Sequence, residues 1–147
     1  LLVSLKMLSK DRKSVNTGKI SYLIDKKLSP ILTQEDLNSW KTLQRTPICK
    51  KYKGFDICGF PPPTSGGTGV LQILGILENF KTDFDPYKTA LDEHLFLEAT
   101  RLAYADRNMF IADPSFFEVP LDGLLSKEYL KQRSFLIYNN KDNIIFD

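Results

Sequence analysis

Three groups of residues in the sequence are of types that could bind a ligand or catalyse a reaction. The first is a glycine-rich stretch. Gly66, Gly67 and Gly69 surround Thr68, and successive backbone N–H groups at a helix start can bind a phosphate. A phosphate loop of the GxxxxGK[ST] form needs a lysine after its second glycine, and the dinucleotide-binding pattern needs a third glycine that is missing here. We therefore interpret these glycines as positions where a helix start packs closely against neighbouring backbone.

The second feature is a serine and a histidine that could supply a nucleophile and a base. Ser65 lacks the flanking glycines of a GxSxG nucleophile elbow. His94, the only histidine, lies at helical spacing from Glu98, which favours a pair on a helix surface over a catalytic set. With Asp92, Glu93 or Glu98 it offers at most two metal ligands on one face, fewer than zinc requires.

The third feature is an acid and a base beside an aromatic ring. Asp106 and Arg107 follow Tyr104 closely and could act as an acid and an electrostatic clamp. Ion pairs near helix ends are the commoner explanation. The residues alone therefore contain no complete catalytic, substrate-binding or metal-binding set, and we expect no cofactor.

Composition limits the class of protein around these residues. The chain has 147 residues, 42% hydrophobic and 26% charged, with a formal charge of +2. This composition predicts a soluble globular protein whose weak charge is unsuited to nucleic acid. No apolar run approaches the ~20 residues of a membrane span. The absence of an initial Met and of a signal-peptide pattern suggests a piece of a longer protein.

Hydrophobic spacing predicts helices around one β-hairpin, without internal repeats or a Pro/Gly/Ser-rich linker between two bodies. A helix follows Gly18 and closes at Ser29, a second is capped by Thr33 and Asp36 and ends before Thr46. A strongly apolar helix follows three prolines and runs to Phe80. We expect it to be buried on nearly all sides through the residues Val70, Leu71, Ile73, Leu74, Ile76 and Leu77.

Two further helices are expected in the last third of the chain. Asp85 is predicted to cap a long helix that ends near Ile111, with Pro86 in its first position. An aromatic loop with Phe116 and Phe117 follows, Ser126 caps the last helix, and residues 138–147 are expected to form a mobile tail.

The hairpin contains both cysteines of the chain, and its register decides whether they can pair. Residues 48–52 and 55–58 flank Lys53 and Gly54. A two-residue loop places Cys49 opposite Cys58, whereas a three-residue bulged loop separates them. Because the sequence does not indicate an oxidising compartment, two reduced thiols are the favoured interpretation.

Several motifs occur in the order typical of the gamma-glutamyltranspeptidase family, which this sequence resembles over about residues 15–137. The central ones are residues 52–55 (YKGF), 61–68 (PPPTSGGT) and 71–78 (LQILGILE). Residues 32–37 (LTQEDL) and 45–47 (RTP) precede them, and residues 98–107 (EATRLAYADR), 113–114 (DP) and 119–129 (VPLDGLLSKEY) follow. In this family an asparagine is usual at Gly75, where glycine costs about 1 kcal/mol unless close packing requires it.

The resemblance implies the C-terminal half of a large subunit as one segment, 1–147. It implies an α+β, helix-rich fragment with a β-hairpin, part of a four-layer αββα N-terminal nucleophile hydrolase sandwich. Such enzymes cleave themselves and transfer the γ-glutamyl group of glutathione through a threonine that begins the small subunit. No threonine follows Thr100, so the resemblance places the nucleophile outside this chain, and no site residue carries over.

The resemblance also implies partners and a compartment. The expected partners are the small catalytic subunit and the N-terminal part of the large subunit, with glutathione as substrate of the complete enzyme and no nucleic acid. The isolated fragment is expected to be inactive and to self-associate through exposed apolar surface. Family members are usually periplasmic or at the cell surface. A related acylase and a non-catalytic helical scaffold remain the alternatives.

Overall fold

The computed structural model describes residues 2–80, 85 and 88–139, which fall into two compact units, 1–44 and 45–147. The first unit contains α1 (Leu2–Lys10), a 3₁₀ helix (Arg12–Val15), α2 (Lys19–Leu28) and α3 (Gln34–Ser39). The second contains β1 (Ile48–Tyr52), β2 (Phe55–Gly59), α4 (Gly66–Leu77), α5 (Ala90–Phe110), α6 (Leu121–Leu124) and α7 (Lys127–Asn139). Among the described helices, none is both long and apolar enough to cross a membrane.

The first unit confirms two helices and adds two that hydrophobic spacing did not reveal. α2 begins after Gly18 and ends before Ser29, as predicted. In α3 the Thr33 hydroxyl accepts from the Asp36 backbone N–H, and the Asp36 carboxylate accepts from the Thr33 N–H at 2.9 Å. The expectation that α3 continues towards Thr46 is wrong, because the chain becomes extended at Trp40. α1 and the 3₁₀ helix were not predicted.

The hairpin has the two-residue loop that places the cysteines opposite each other. Lys53 and Gly54 both have positive φ, 47° and 85°, as the type I′ turn requires. Cys49 pairs with Cys58 across the strands, their Cα atoms are 4.2 Å apart, and they form a disulfide. The interpretation as reduced thiols is therefore wrong, since the turn type brings the two Cβ atoms within bonding reach.

The core of the second unit lies between α4, α5 and α7. It consists of the buried residues Ile76, Leu77, Phe80, Leu95, Ala99, Leu102, Leu130 and Ile137. The hairpin packs on another side of α4. The prediction that α4 is buried on nearly all sides is wrong at Val70, which is 49% exposed. The helices α5 and α7 and the hairpin cover the other sides of α4 and leave Val70 in contact with solvent.

Three of the predicted element ends in the second unit can be compared with the structure. α5 is capped by Thr89, whose hydroxyl accepts from the Asp92 N–H, so the prediction of Asp85 as its cap is wrong. Asp85 instead accepts a turn hydrogen bond from the Lys88 N–H, and Pro86 lies outside the described residues. Ser126 caps α7 as expected. The short helix α6 was not predicted. The expectation that the tail begins at residue 138 is wrong, because α7 continues to Asn139, and residues 140–147 lie outside the described residues.

Candidate functional site

A buried polar cluster joins α4, α5 and α7 around the carboxylate of Asp106. We define the polar cluster as Gln72, Asp106, Tyr129 and Arg133. Gln72 is 1% and Asp106 is 3% exposed, so neither can exchange its partners for water. The three partners of Asp106 lie 34, 23 and 27 residues from it in sequence, and only the packing of the helices brings them together.

Each oxygen of the Asp106 carboxylate has a partner. Gln72 Nε2 donates to Oδ2 at 2.9 Å, while the Tyr129 hydroxyl donates to Oδ1 at 2.9 Å and Arg133 Nη2 donates to the same oxygen. A buried carboxylate is stable only when it is paired and hydrogen-bonded in this way. The Asp106 carboxylate therefore holds α4, α5 and α7 together. Because all three donors already bind its oxygens, it is poorly suited to take up or release a proton in a reaction.

Two donor atoms of the polar cluster also reach backbone carbonyls, whereas Arg133 Nε is buried without a hydrogen-bond partner among the described residues. Gln72 Nε2 also lies 3.4 Å from the carbonyl oxygen of Leu124, and Arg133 Nη2 donates to that of Leu102 at 3.3 Å. Burial raises the pKa of the Tyr129 phenol, and its hydrogen bond to Asp106 raises the pKa further. Tyr129 is therefore a neutral donor at ordinary pH.

The glycine stretch forms a close backbone contact between the hairpin and the start of α4. A Cβ atom on Gly67 would lie 2.9 Å from the carbonyl carbon of Gly59 and closer still to the Phe60 oxygen. A Cβ on Gly59 would lie 2.5 Å from Gly67 Cα. Both distances are shorter than real Cβ contacts, so glycine is required on both sides. The structure confirms close packing as the use of Gly67.

Gly75 meets the packing condition under which a glycine inside a helix is useful. A Cβ there would lie 2.5 Å from Leu130 Cδ1, at the crossing of α4 and α7. The small residue lets Leu130, which is 7% exposed, enter the core. The loss of helix propensity at Gly75 is thus accompanied by closer contact between two helices.

Ser65 and Arg107 meet at the start of α4. Arg107 Nε donates to Ser65 Oγ at 3.0 Å, and the guanidinium lies 5.8 Å from the centre of the Tyr104 ring. Asp106 pairs with Arg133 and not with its neighbour Arg107, because consecutive residues of a helix point in different directions. The predicted trio of Tyr104, Asp106 and Arg107 is therefore divided between a surface contact and the buried polar cluster.

His94 is not placed beside a nucleophile among the described residues. It is half-buried on α5, and its Nε2 atom has no hydrogen-bond partner in that part of the chain. Glu98 bonds to Arg101, at 2.7 Å from Nη2, and not to His94 as the spacing suggested. The hydrogen bond from Arg101 is the main reason that the pKa of Glu98 is lowered. The described residues contain no group of three or more ligating side chains for a metal.

A basic cavity of about 350 Å³ opens between the hairpin, α4 and α7. Its charged lining residues are Lys50, Lys51, Lys53, Lys127 and Glu78. Lys51 is paired with Asp56 at 3.2 Å. Three of its lysines belong to the hairpin and the fourth, Lys127, begins α7, so the cavity exists only where the hairpin, α4 and α7 pack together, and it was not predicted.

Comparison with known proteins gives one family match and several close relatives. The model of the family described as gamma-glutamyltranspeptidase matches residues 5–146. The glutathione hydrolase proenzyme of Escherichia coli K12 is 40% identical over 111 residues, which cover 76% of this chain and 19% of the relative. An acylase ACY 1 proenzyme of Pseudomonas sp. V22 is 37% identical over 107 residues, or 73% of this chain and 19% of the relative.

Solved structures agree with this result. A gamma-glutamyltranspeptidase of Helicobacter pylori matches with a TM-score of 0.77 and 34% identity, covering 90% of this chain and 39% of that one. A cephalosporin acylase of Bacillus halodurans matches with a TM-score of 0.77 and 27% identity, covering 90% and 25%. The fold class expected from the sequence is confirmed. The chain spans about a fifth of the length of the curated relatives it matches.

Proposed function

The chain belongs to the gamma-glutamyltranspeptidase family, and from that membership we propose that it is the C-terminal half of the large subunit of a glutathione hydrolase. The complete enzyme would transfer the γ-glutamyl group of glutathione to water or to an amino acid. The observation that carries the proposal is the family match over residues 5–146 together with 40% identity to a glutathione hydrolase proenzyme.

In this proposal the segment is a scaffold. Its polar and glycine residues stabilise the fold and take no part in the reaction. The carboxylate of Asp106 is occupied by three donors, and Gly67 at the start of α4 is packed against the backbone of Gly59 and Phe60. An enzyme of this type takes both nucleophile and base from one N-terminal threonine. That threonine would follow in the small subunit, so the chain alone is expected to hydrolyse no γ-glutamyl amide.

The proposed partners are the small subunit and the N-terminal part of the large subunit. Exposed aromatic residues support an additional contact surface, since Phe60 is 78% and Phe116 is 91% exposed. Apolar surface of this kind is usually covered in an assembly. We expect the isolated chain to self-associate, which analytical ultracentrifugation at several concentrations would detect.

We further propose an exported protein, at the periplasm or cell surface. The Cys49–Cys58 disulfide supports this, because such bonds persist mainly in oxidising compartments.

The test is the activity of the complete protein encoded by the gene that contains this sequence. We expect it to cleave itself into two subunits and to release p-nitroaniline from γ-glutamyl-p-nitroanilide. A self-cleaved protein that releases no p-nitroaniline would contradict the transpeptidase activity. An uncleaved, inactive protein would favour the non-catalytic scaffold.

A related acylase is the second candidate, favoured by the likeness to the ACY 1 proenzyme and to the cephalosporin acylase. The scaffold segment does not touch the acyl group in our proposal, so it does not select the substrate. Parallel assays with γ-glutamyl-p-nitroanilide and with a glutaryl amide on the same self-cleaved protein would separate the two activities.

A further inference from the structure

We propose that the basic cavity between the hairpin, α4 and α7 binds one straight-chain carboxylate of medium length. The carbon chain lies on the apolar floor of the cavity, and the carboxylate lies beside its lysines. The cavity has a volume of about 350 Å³, which is within the range of small-molecule sites. The proposal goes beyond the proposed function and does not depend on it.

Four leucines form the apolar floor of the basic cavity. Leu71 and Leu74 come from α4, Leu125 directly precedes the cap of α7, and Leu130 lies in α7 itself. Leu71, Leu125 and Leu130 are buried, so packing fixes their positions. A carbon chain that covers this floor would remove apolar surface from water, which is favourable in proportion to the area covered.

The charged lining of the basic cavity has a positive excess. Lys50, Lys53 and Lys127 line it together with a single carboxylate, that of Glu78. Lys51 borders it as well, but its ammonium is paired with Asp56 at 3.2 Å. In the part of the chain that the structure describes, no ion pair engages Lys50 or Lys127. Both ammonium groups are therefore available to a carboxylate.

The strand pattern places Lys50 on the cavity side of the hairpin. Successive side chains of a strand alternate between its faces, so Ile48, Lys50 and Tyr52 share the face of β1 that packs towards α4. Ile48 and Tyr52 are half-buried there, whereas Lys50 is exposed. This is typical of a lysine whose carbon stem lies along apolar surface and whose ammonium stays in water.

α7 begins at the same cavity. Ser126 and Lys127 line it, and the Ser126 hydroxyl caps the helix by accepting from the Tyr129 N–H at 3.2 Å. The first turn of a helix carries a partial positive charge, which adds to that of the lysines. The acidic residue of this turn, Glu128, lines a different cavity with Tyr129.

The combination of floor and charge selects an amphipathic anion over an inorganic one. Ion pairs with exposed lysines contribute little in water, so the lysines alone would not hold phosphate or acetate. Each buried methylene can add up to about fourfold in affinity. Since the cavity has room for a single short chain, the ligand is a soluble carboxylate and not the surface of a membrane.

The first test titrates octanoate into the 147-residue chain, at concentrations below those that form micelles, and follows the backbone amides by NMR. We expect one octanoate to bind saturably, with the largest shifts at Lys50, Ser126 and Lys127. Decanoate should bind more tightly and hexanoate more weakly, by about twofold to fourfold per methylene. Affinity that does not change with chain length, or unsaturable shifts at the exposed aromatic residues alone, would overturn the proposal.

The second test addresses charge by comparing octanoate with neutral octanol and cationic octylamine. We expect octanoate to bind most tightly and octylamine most weakly at low salt. The advantage of octanoate over octanol should shrink as salt is added, because salt screens the lysines. Equal affinities for octanoate and octanol at low salt would reject the selectivity for an anion.

Variants locate the charge that binds the carboxylate. Lys50→Gln and Lys127→Gln should each weaken octanoate binding by about twofold to fivefold and leave octanol binding unchanged. Glu78→Gln removes the opposing carboxylate and should strengthen octanoate binding. Lys131→Gln is the matched control, because it removes one positive charge from α7 outside the lining of the cavity.

An octanoate affinity that is unchanged in both Lys50→Gln and Lys127→Gln would contradict the site, and so would an equal loss in Lys131→Gln. These experiments follow ligand binding to this chain, not self-cleavage or the release of a product. Their failure is therefore distinct from a failure of the proposed function.

Discussion

At the residue scale, the Asp106 carboxylate shows how one buried charge can hold three helices. Its ion pair with Arg133 has side-chain exposures of 4% and 19%, and Gln72 and Tyr129 complete its hydrogen bonds. Removing one partner from such a pair leaves the other charge buried without compensation, which is the costly case for an ion pair in a protein.

We expect Asp106→Asn to lower the free energy of unfolding by about 3 kcal/mol, measured by urea denaturation. Asp113→Asn is the matched control: its carboxylate is 43% exposed and lies 4.0 Å from Arg45, so its loss should lower the free energy of unfolding much less than the loss of Asp106. Equal effects of the two substitutions would show that burial of Asp106 is not what makes it important.

The Gly67 position gives a second prediction at this scale. Gly67→Ala forces a methyl group into the backbone of Gly59 and Phe60, and we expect a loss of about 3 kcal/mol in thermal or urea unfolding. Gly69→Ala, in the same helix with open space around the new Cβ, should stabilise the chain by up to about 1 kcal/mol. A stable Gly67→Ala variant would contradict the close contact.

At the scale of elements, local capping and turn chemistry decide where helices and strands begin. The Thr33–Asp36 box starts α3, the Thr89 hydroxyl starts α5, and Lys53-Gly54 reverses the hairpin. Each of these devices acts within a few residues, so each can be tested without disturbing the core.

The capping box of α3 has a pH dependence. Hydrogen bonds from the Thr33 side chain and backbone lower the pKa of Asp36 below its usual value. The stabilisation from this carboxylate is therefore present above the pKa of the unfolded chain, about 3.9, and is lost as the pH falls through the lower pKa of the folded chain.

Titration of the Asp36 carboxyl by NMR would check this result, with Thr33→Ala as the comparison. We expect the pKa of Asp36 to rise towards the usual value in the variant, because both the hydroxyl partner and the tight turn are weakened. An unchanged pKa would show that Thr33 does not stabilise the charge.

At the scale of the whole molecule, the chain consists of two compact units divided at Gln44 and Arg45. The stretch from Trp40 to Pro47 forms neither helix nor strand, and its side chains are exposed. Exposed backbone without regular hydrogen bonds is the preferred target of proteases.

Limited trypsin digestion should therefore cut first after Lys41 or Arg45 and give fragments that correspond to the two units. Lys41→Gln should slow the first of these cuts, while Lys131→Gln, within α7, should not change the pattern. A first cut inside α5 or α7 would contradict the division, and mass spectrometry of early time points would distinguish the outcomes.

Much of the local structure could be predicted from the sequence because its signals lie a few residues apart. The capping box at Thr33, the helix cap at Ser126 and the turn of the hairpin were all predicted from the sequence. The cap of α5 was misplaced, since Asp85-Pro86 gives the same type of signal as Thr89, and only Thr89 meets the first turn. α1 was missed although Leu1, Leu5 and Leu8 follow the i, i+4, i+7 spacing of a helix.

The sequence by itself determined the family and the class of fold, since motif order and hydrophobic spacing are properties of the linear chain. Only the tertiary structure decided how the chemistry-bearing residues are used. It turned Asp106 away from Arg107 and towards Arg133, packed Gly67 against the backbone of Gly59 and Phe60, and joined Cys49 to Cys58. The physical reason is that these outcomes depend on distances across the packed helices and across the hairpin, and spacing along the chain does not fix them.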